Sequence, residues 1–298
     1  MSRTAKIVPT QQIPGAYHRR IGDIVVTAVS DGYLDGNMEV LRGIDADAAH
    51  GILSAAFRPV PGRRTSVNCF LIWSKGRLAL IDTGSGNYMM PTAGQLLLNL
   101  AAAGVDPAWV DAVILTHMHP DHSAGLTDMK TGRPVFPNAE LVFHENEERH
   151  WFDDAAMAKA DERTRRLNFQ AAREQSEPYR NRWRMFREGE VFPGVTALPA
   201  PGHTPGHTTY LIASGDEQLL IWGDTVHVPE IQTARPEVTV AYDIDPAMAE
   251  ASRRRVFDRV ATDRLLVTGM HLHFPGFNYL KRNGDGYALV PEAWSQAL

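Results

Sequence analysis

The chain has 298 residues, 44% of them hydrophobic, enough for a sizeable core in one large domain or two small ones. A formal net charge of -5, with Lys and Arg dispersed apart from Arg253, Arg254 and Arg255, leaves no footprint for nucleic acid or an anionic membrane. The single cysteine, Cys69, excludes an intrachain disulfide; with no apolar signal region and no membrane-length apolar run, the expectation is a soluble, cytoplasmic protein.

In chain order, residues 1–20 read as an irregular N-terminal arm broken by Pro9, Pro14 and Gly15, and 21–298 as a single domain. IVVTAVSDG (24–32) is β-branched and predicts a strand, and DADAAHGILSAA (45–56) a helix with an Asp cap. SVNCFLIW and RLALID, separated by SKG, predict a hairpin that holds Cys69 in a buried strand. PTAGQLLLNLAAAG predicts a helix from Pro91 to Gly104, and VDAVILT (110–116) and AELVFHE (139–145) predict strands. The segment near 151–188, rich in Arg, Glu, Ala and aromatics, predicts a helical insertion interrupted near Pro178. Strands then resume in VTALPAPGHTPGH, TTYLIAS and EQLLIWGDT, followed by an amphipathic helix at 247–261 and the strand RLLVTGMH. Strands and helices alternate in both halves, which predicts an α/β layered fold with mixed sheets.

The chemistry starts at THMHPDH (116–122), which follows the apolar run AVIL. In extended backbone His117 and His119 face one way; Pro120 then breaks the strand, so that Asp121 and His122 can aim at a second point. Imidazole and carboxylate at that spacing suit two adjacent divalent metal ions, zinc foremost. Three later strand ends supply further candidates: His203 in PGHTPGH, Asp224 in IWGDT and His271 in VTGMHLH. The expected sites are His117, His119 and His203 for one ion and Asp121, His122 and His271 for the other. Asp224 would bridge them, since a carboxylate has two oxygens to offer. His207 reads as a supporting residue and His273 as a weaker candidate. Two such ions can activate a bridging hydroxide and polarise a carbonyl or phosphoryl oxygen, so hydrolysis is the expected reaction. There is no GxSxG, and no serine nucleophile is needed.

THMHPDH, PGHTPGH, GDT and the late His271 together resemble the metallo-β-lactamase fold superfamily, over about residues 20–290. The resemblance implies an αββα sandwich of two mixed sheets with the metals at one edge. It also implies that Asp82 in IDTGSG orients the metal loops. Asp224 separates the chain from metallo-β-lactamases proper, and the short segment after His271 separates it from glyoxalase II. WGDTVHVPEIQTARPEVTVAYDID and GMHLHFPG are similar to the branch of methyl parathion hydrolase, quorum-quenching lactonases and aryl esterases. That likeness implies a lactonase or esterase acting on a small apolar ester or lactone. An organophosphate triester hydrolase is the alternative, and a glyoxalase II-like thioesterase or a non-catalytic metal-binding protein ranks below both. It implies further that Asp121 passes a proton, that His227 stands where related lactonases carry a Tyr beside the substrate carbonyl, and that the protein is a homodimer. Phe274, Phe277 and Tyr279 are expected around the pocket mouth, and Trp151, Phe152, Trp183 and Phe186 over it.

Overall fold

The computed structural model describes residues 12, 13 and 15–298. Two seven-stranded sheets dominate, and in each of them spatial order equals chain order. The first contains β1 (Ala16–Ile21), β2 (Ile24–Gly36), β3 (Arg63–Ser74), β4 (Arg77–Ile81), β5 (Ala112–Ile114), β6 (Glu140–His144) and β7 (Trp183–Phe186). Strands β1 to β4 are antiparallel, and β4 to β7 run parallel. The second contains β8 (Gly189–Phe192), β9 (Val195–Pro199), β10 (Thr208–Ser214), β11 (Glu217–Ile221), β12 (Leu266–Thr268), β13 (Asn278–Asn283) and β14 (Gly286–Pro291). All its pairs are antiparallel except β11 with β12. Both sheets are thus mixed, as expected.

Side-chain alternation explains the layers. In β4, Ala79 and Ile81 enter the core between the sheets, whereas Leu78 and Leu80 face the outer helices. A strand buried on both faces reads as a continuous apolar run, which is why RLALI is apolar after its first residue. The inter-sheet core joins Ile24, Phe70 and Ile114 to Val195, Tyr210 and Ile221. Outside the first sheet lie helix Leu96–Ala102 and the helical segment after β6; outside the second lies helix Pro246–Asp263. The result is the αββα sandwich.

Several expectations need correction. Residues 1–11 and 14 of the expected arm lie outside the described residues; Ala16–Ile21 is not irregular but pairs with β2. The helix expected from Pro91 starts only at Leu96. The 151–188 segment is helical to Arg182, with Pro178 inside a tightened 3-10 turn, but its Trp183–Phe186 forms the edge strand β7. Trp151, Phe169 and Tyr179 are core residues, so the segment is part of an outer layer and more than a surface cover. Among the described residues no helix is long and apolar enough to cross a membrane.

Candidate metal centre

Each chemistry-bearing loop leaves the end of a strand. The loop after β5 carries His117 and His119 and runs into a short helix, Pro120–Ser123, with Pro120 at its first turn. The loop after β9 carries His203, that after β11 carries Asp224, and that after β12 carries His271. The backbone bond from Thr208 N to Thr116 O, 3.0 Å, ties the first two loops together across the sheets.

These loops converge. Side chains of His117, His119 and His203 form one potential ligand group, and Asp121, His122 and His271 another. His117, His122 and Asp224 form a third, and His203, Asp224 and His227 a fourth. All seven residues expected as ligands are therefore in one cluster, and His227 joins them. Asp224 lies at its centre: Oδ1 is 3.2 Å from His122 Nε2, and Oδ2 is 3.2 Å from His271 Nε2, 3.4 Å from His203 Nε2 and 3.7 Å from His117 Nε2. Asp121 lies 3.7 Å from His122 Nε2 and 3.6 Å from His271 Nε2. The histidines and Asp224 are buried, and Asp121 alone of the seven reaches solvent, with 17% of its side chain exposed.

An acceptor behind each of four rings fixes the ring's tautomer. His122 Nδ1 donates to Asp82 Oδ2 at 2.7 Å, His203 Nδ1 to Asp243 Oδ1 at 2.7 Å, and His271 Nδ1 to the Ser66 carbonyl at 2.8 Å. His117 Nδ1 lies 3.1 Å from Thr116 Oγ1, whose own proton goes to Asp82. With the proton held outside, the Nε2 lone pair of each ring points inward. There it meets other lone pairs: His119 Nδ1 is 3.0 Å from His117 Nε2 and 2.9 Å from His203 Nε2. His119 Nε2, His122 Nε2, Asp224 Oδ1 and both His227 nitrogens are buried without a hydrogen bond. The lone pairs that converge here, on Nε2 of His117, His122, His203 and His271, Nδ1 of His119 and the Asp224 oxygens, are costly to bury unless a cation stands among them, so the residues fit divalent metal.

The electrostatics agree. Burial works against charging His122 and His203, yet the surrounding carboxylates overcome it: His122 is pushed well above its ordinary value and His203 to about 9. Asp224 is itself buried, and the imidazoles around it hold its carboxyl well below the usual range. The cluster thus attracts positive charge strongly. His117 and His119, for which burial dominates, are pushed well down and stay neutral, as ligands must. His207 is also neutral, lowered to about 3 by burial. It donates from Nδ1 to the Ala200 carbonyl and accepts the Asp224 amide on Nε2, at 2.8 and 2.9 Å, and so fixes the central Asp224 through its backbone.

Asp82 has φ of 59°, in the left-handed region. This sharp turn after β4 lets one carboxylate hold Thr116 N, Thr116 Oγ1 and His122 Nδ1, each at 2.7 Å. Three contributors were not read from the sequence. Asp243 supports His203. Glu147 accepts from Met118 N, Trp151 Nε1, Thr204 Oγ1 and Gly206 N. Tyr242 packs 5.1 Å from the His227 ring. Glu147 lies four residues before Trp151 on one helix face, and nothing in the polar sequence ENEERH marks it as buried.

The expected pocket aromatics fare differently. Trp151 is buried in the core outside the first sheet, 5.4 Å behind His119; Phe152 and Trp183 pack there too. Phe186 packs against the inter-sheet core beside His144. Phe277 lies within that core against Tyr17 and Phe70, with one side bordering a cavity. Trp183 and Phe186 fill space between layers because strand residues alternate inward, Trp151 and Phe152 because the end of helix Glu145–Trp151 packs on the sheet, and a single sequence gives neither the strand phase nor the helix face. Phe274 does line that cavity, about 800 Å³ in volume, with Ile52, Arg58, Glu230, Leu272 and His273. Tyr279 is partly exposed on β13. His273 pairs with Glu230 at 2.8 Å and lies outside the ligand groups.

The model of the metallo-beta-lactamase superfamily matches residues 62–271. The chain belongs to the metallo-β-lactamase superfamily. The hydrolase AbOPH, of the beta lactamase superfamily, shares 30% identity and a TM-score of 0.90, over 96% of this chain and 100% of its own. AidC, a dizinc quorum-quenching lactonase solved with a product, shares 26% identity and a TM-score of 0.88 over the same fractions. The N-acyl homoserine lactonase AttM of Agrobacterium fabrum (strain C58) is 28% identical over 127 residues, 41% of this chain and 43% of its own. YobT of Bacillus subtilis (strain 168) is 26% identical over 148 residues, 49% and 56%. The chain therefore spans only about half the length of the curated relatives it matches. Its homologues within the superfamily include lactonases, and its His/Asp clusters suit divalent metal.

Proposed function

We propose that the protein is a binuclear metal-dependent hydrolase, most favourably a lactonase or esterase for a small apolar acyl lactone or aryl ester. One observation carries the reading: imidazole lone pairs from strand-end loops of both sheets converge on the two oxygens of the buried Asp224. The likeness to a dizinc lactonase along 96% of the chain supports the choice of a lactone. We assign His117, His119 and His203 to one ion, Asp121, His122 and His271 to the other, and Asp224 to both, zinc being the ion that suits this N/O set. Divalent cations there supply Lewis acidity, making water a competent nucleophile near neutral pH and polarising a carbonyl oxygen.

The chain's own residues do the rest. Asp82, Asp243 and the Ser66 carbonyl hold the protons of His122, His203 and His271 on the outward nitrogens and keep the inward ones free. Asp121, the solvent-reaching carboxylate, can take up and release a proton at its free oxygen. His227 Nε2 lies 3.0 Å from Asp224 Oδ2, whereas Nδ1 has no partner; with its proton on Nδ1 the ring can donate to the substrate carbonyl. We take the cavity beside Leu272 and His273, the two residues after His271, as the apolar subsite, with Phe274 in its wall.

The test is an initial-rate comparison on zinc-loaded protein of a long-chain N-acyl homoserine lactone, dihydrocoumarin and methyl parathion, with Asp224→Ala as blank. A lactone leading by orders of magnitude in kcat/KM is expected. Methyl parathion in the lead would replace carbonyl chemistry with phosphotriester hydrolysis, and no turnover of any substrate would sink the hydrolase assignment.

A further inference from the structure

We propose that Glu147 is a positioning residue that locks the two histidine-bearing loops together at the spacing the metal centre requires. The proposal rests on the metal-centre reading above and concerns a residue outside every potential ligand group. Glu147 lies in helix Glu145–Trp151, directly after β6, and is completely buried. Its two oxygens divide their work. Oε2 accepts the Met118 amide and the Trp151 indole N–H, each at 2.8 Å. Oε1 accepts the Thr204 hydroxyl at 2.5 Å and the Gly206 amide at 2.8 Å.

Those partners are the neighbours of the ligands. Met118 stands between His117 and His119, and Thr204 follows His203. At their bases the two loops are joined by the Thr208 to Thr116 backbone bond; nearer their tips, the carboxylate of Glu147 joins them. His119 Nδ1 and His203 Nε2 face each other at 2.9 Å across this clamp. Gly206 makes room for it, since a Cβ there would come within 2.8 Å of Glu147. Trp151, held by the same oxygen as Met118, backs the His119 ring.

All four partners of Glu147 are neutral donors. Burying a carboxylate with no cation is expensive, and four hydrogen bonds offset that cost only if every partner stays in place. An acceptor-only group is what four donors require. Glutamine would turn its NH2 toward one loop's donors and push that loop away. The loop displaced carries either His117 and His119 or His203, so either orientation opens the same three-histidine group.

The test is chelator competition for zinc on the full-length, zinc-loaded protein, comparing wild type with Glu147→Gln, Thr204→Val and Val260→Ala. Thr204→Val removes one donor to the clamp and leaves the carboxylate. Val260→Ala destabilises the core outside the second sheet, away from both loops. The expected result is that Glu147→Gln weakens one zinc equivalent about 10–100-fold and leaves the other nearly unchanged, with Thr204→Val a smaller change in the same direction. Val260→Ala should lower Tm without altering either equivalent. Unchanged affinities in both clamp variants, or equal weakening of both equivalents, would overturn the proposal. If Glu147→Gln does not fold, Thr204→Val decides by the same criterion. A wild-type protein that binds no zinc would overturn the metal centre itself, and the role of Glu147 with it.

Discussion

Asp243 acts on the metal cluster without belonging to a ligand group. Its Oδ1 holds the proton of His203 on Nδ1, and its Oδ2 accepts the Val240 amide at 2.9 Å, which fixes the carboxylate in turn. Asp243→Asn should therefore lower zinc affinity about 10–100-fold while circular dichroism stays native, as read by chelator competition. Glu230 offers a second check at this scale, through pH. Burial works against its charge, but the hydrogen bond from His273 and the pairing with Arg58 win and hold its carboxyl at about 2, below the ordinary 4.5. A depressed acid stabilises the fold above pH 4.5 and loses that contribution as pH falls from there toward 2. In metal-free protein, Glu230→Gln should be less stable than wild type at pH 7 by about 1–2 kcal/mol after screening, and the gap should narrow at pH 3 in urea unfolding. The histidines of the site were legible in the sequence because closely spaced imidazoles in a loop after an apolar strand seldom serve anything but a metal. Asp243 and Glu147 were not, because YDID and ENEE look like the solvated acids that cap most helices. Only the tertiary fold turns those two inward.

Elements were legible wherever the determinants were local. Asp45 accepts the Ala48 amide at 2.8 Å, as the reading of an Asp-capped helix requires, and Gly76 takes the positive φ of the β3–β4 turn. The helix expected from Pro91 fails for a distant reason. Asp31, on β2, accepts Leu96 N, Gly94 N and Ser85 N, so a residue 65 positions away caps the helix and holds the preceding residues out of it. The three arginines at 253–255 lie on one helix but differ in their surroundings. Arg254 and Arg255 are exposed, but Arg253 is buried and donates to the carbonyls of Thr225, Pro236 and Val238, each at 2.8 Å. It pins the chain that leaves Asp224 onto helix Pro246–Asp263. Arg253→Ala would remove the side-chain donor from the Thr225 and Pro236 carbonyls, while Val238 keeps Gln232 Nε2 at 3.1 Å, and should cost about 2–4 kcal/mol in urea unfolding, against almost nothing for Arg255→Ala.

On the scale of the whole molecule, the layered α/β class followed from alternating strands and helices, and the αββα order from the family likeness. What stayed hidden was the phase of each strand, and so which aromatics face a cavity and which fill the gap between sheets. The cluster draws its residues from loops of both sheets, so metal bound there should stabilise the fold as a unit. Chelation should lower Tm and zinc restore it, by about 4 kcal/mol per site at a thousandfold excess over Kd, and Asp224→Ala should lose most of that zinc-dependent shift in calorimetry. The coincidence of spatial and chain order has a further consequence, for synthesis on the ribosome. The first sheet is complete once Phe186 has emerged, yet Phe70, Ile72 and Ile114 then have no second sheet to cover them. Four of the eight clustered residues are also out by then, and the last, His271, is 85 residues behind Phe186. The nascent half-protein must therefore wait with an apolar face bare and its metal-binding loop unfinished, and this is the interval in which it most needs a chaperone.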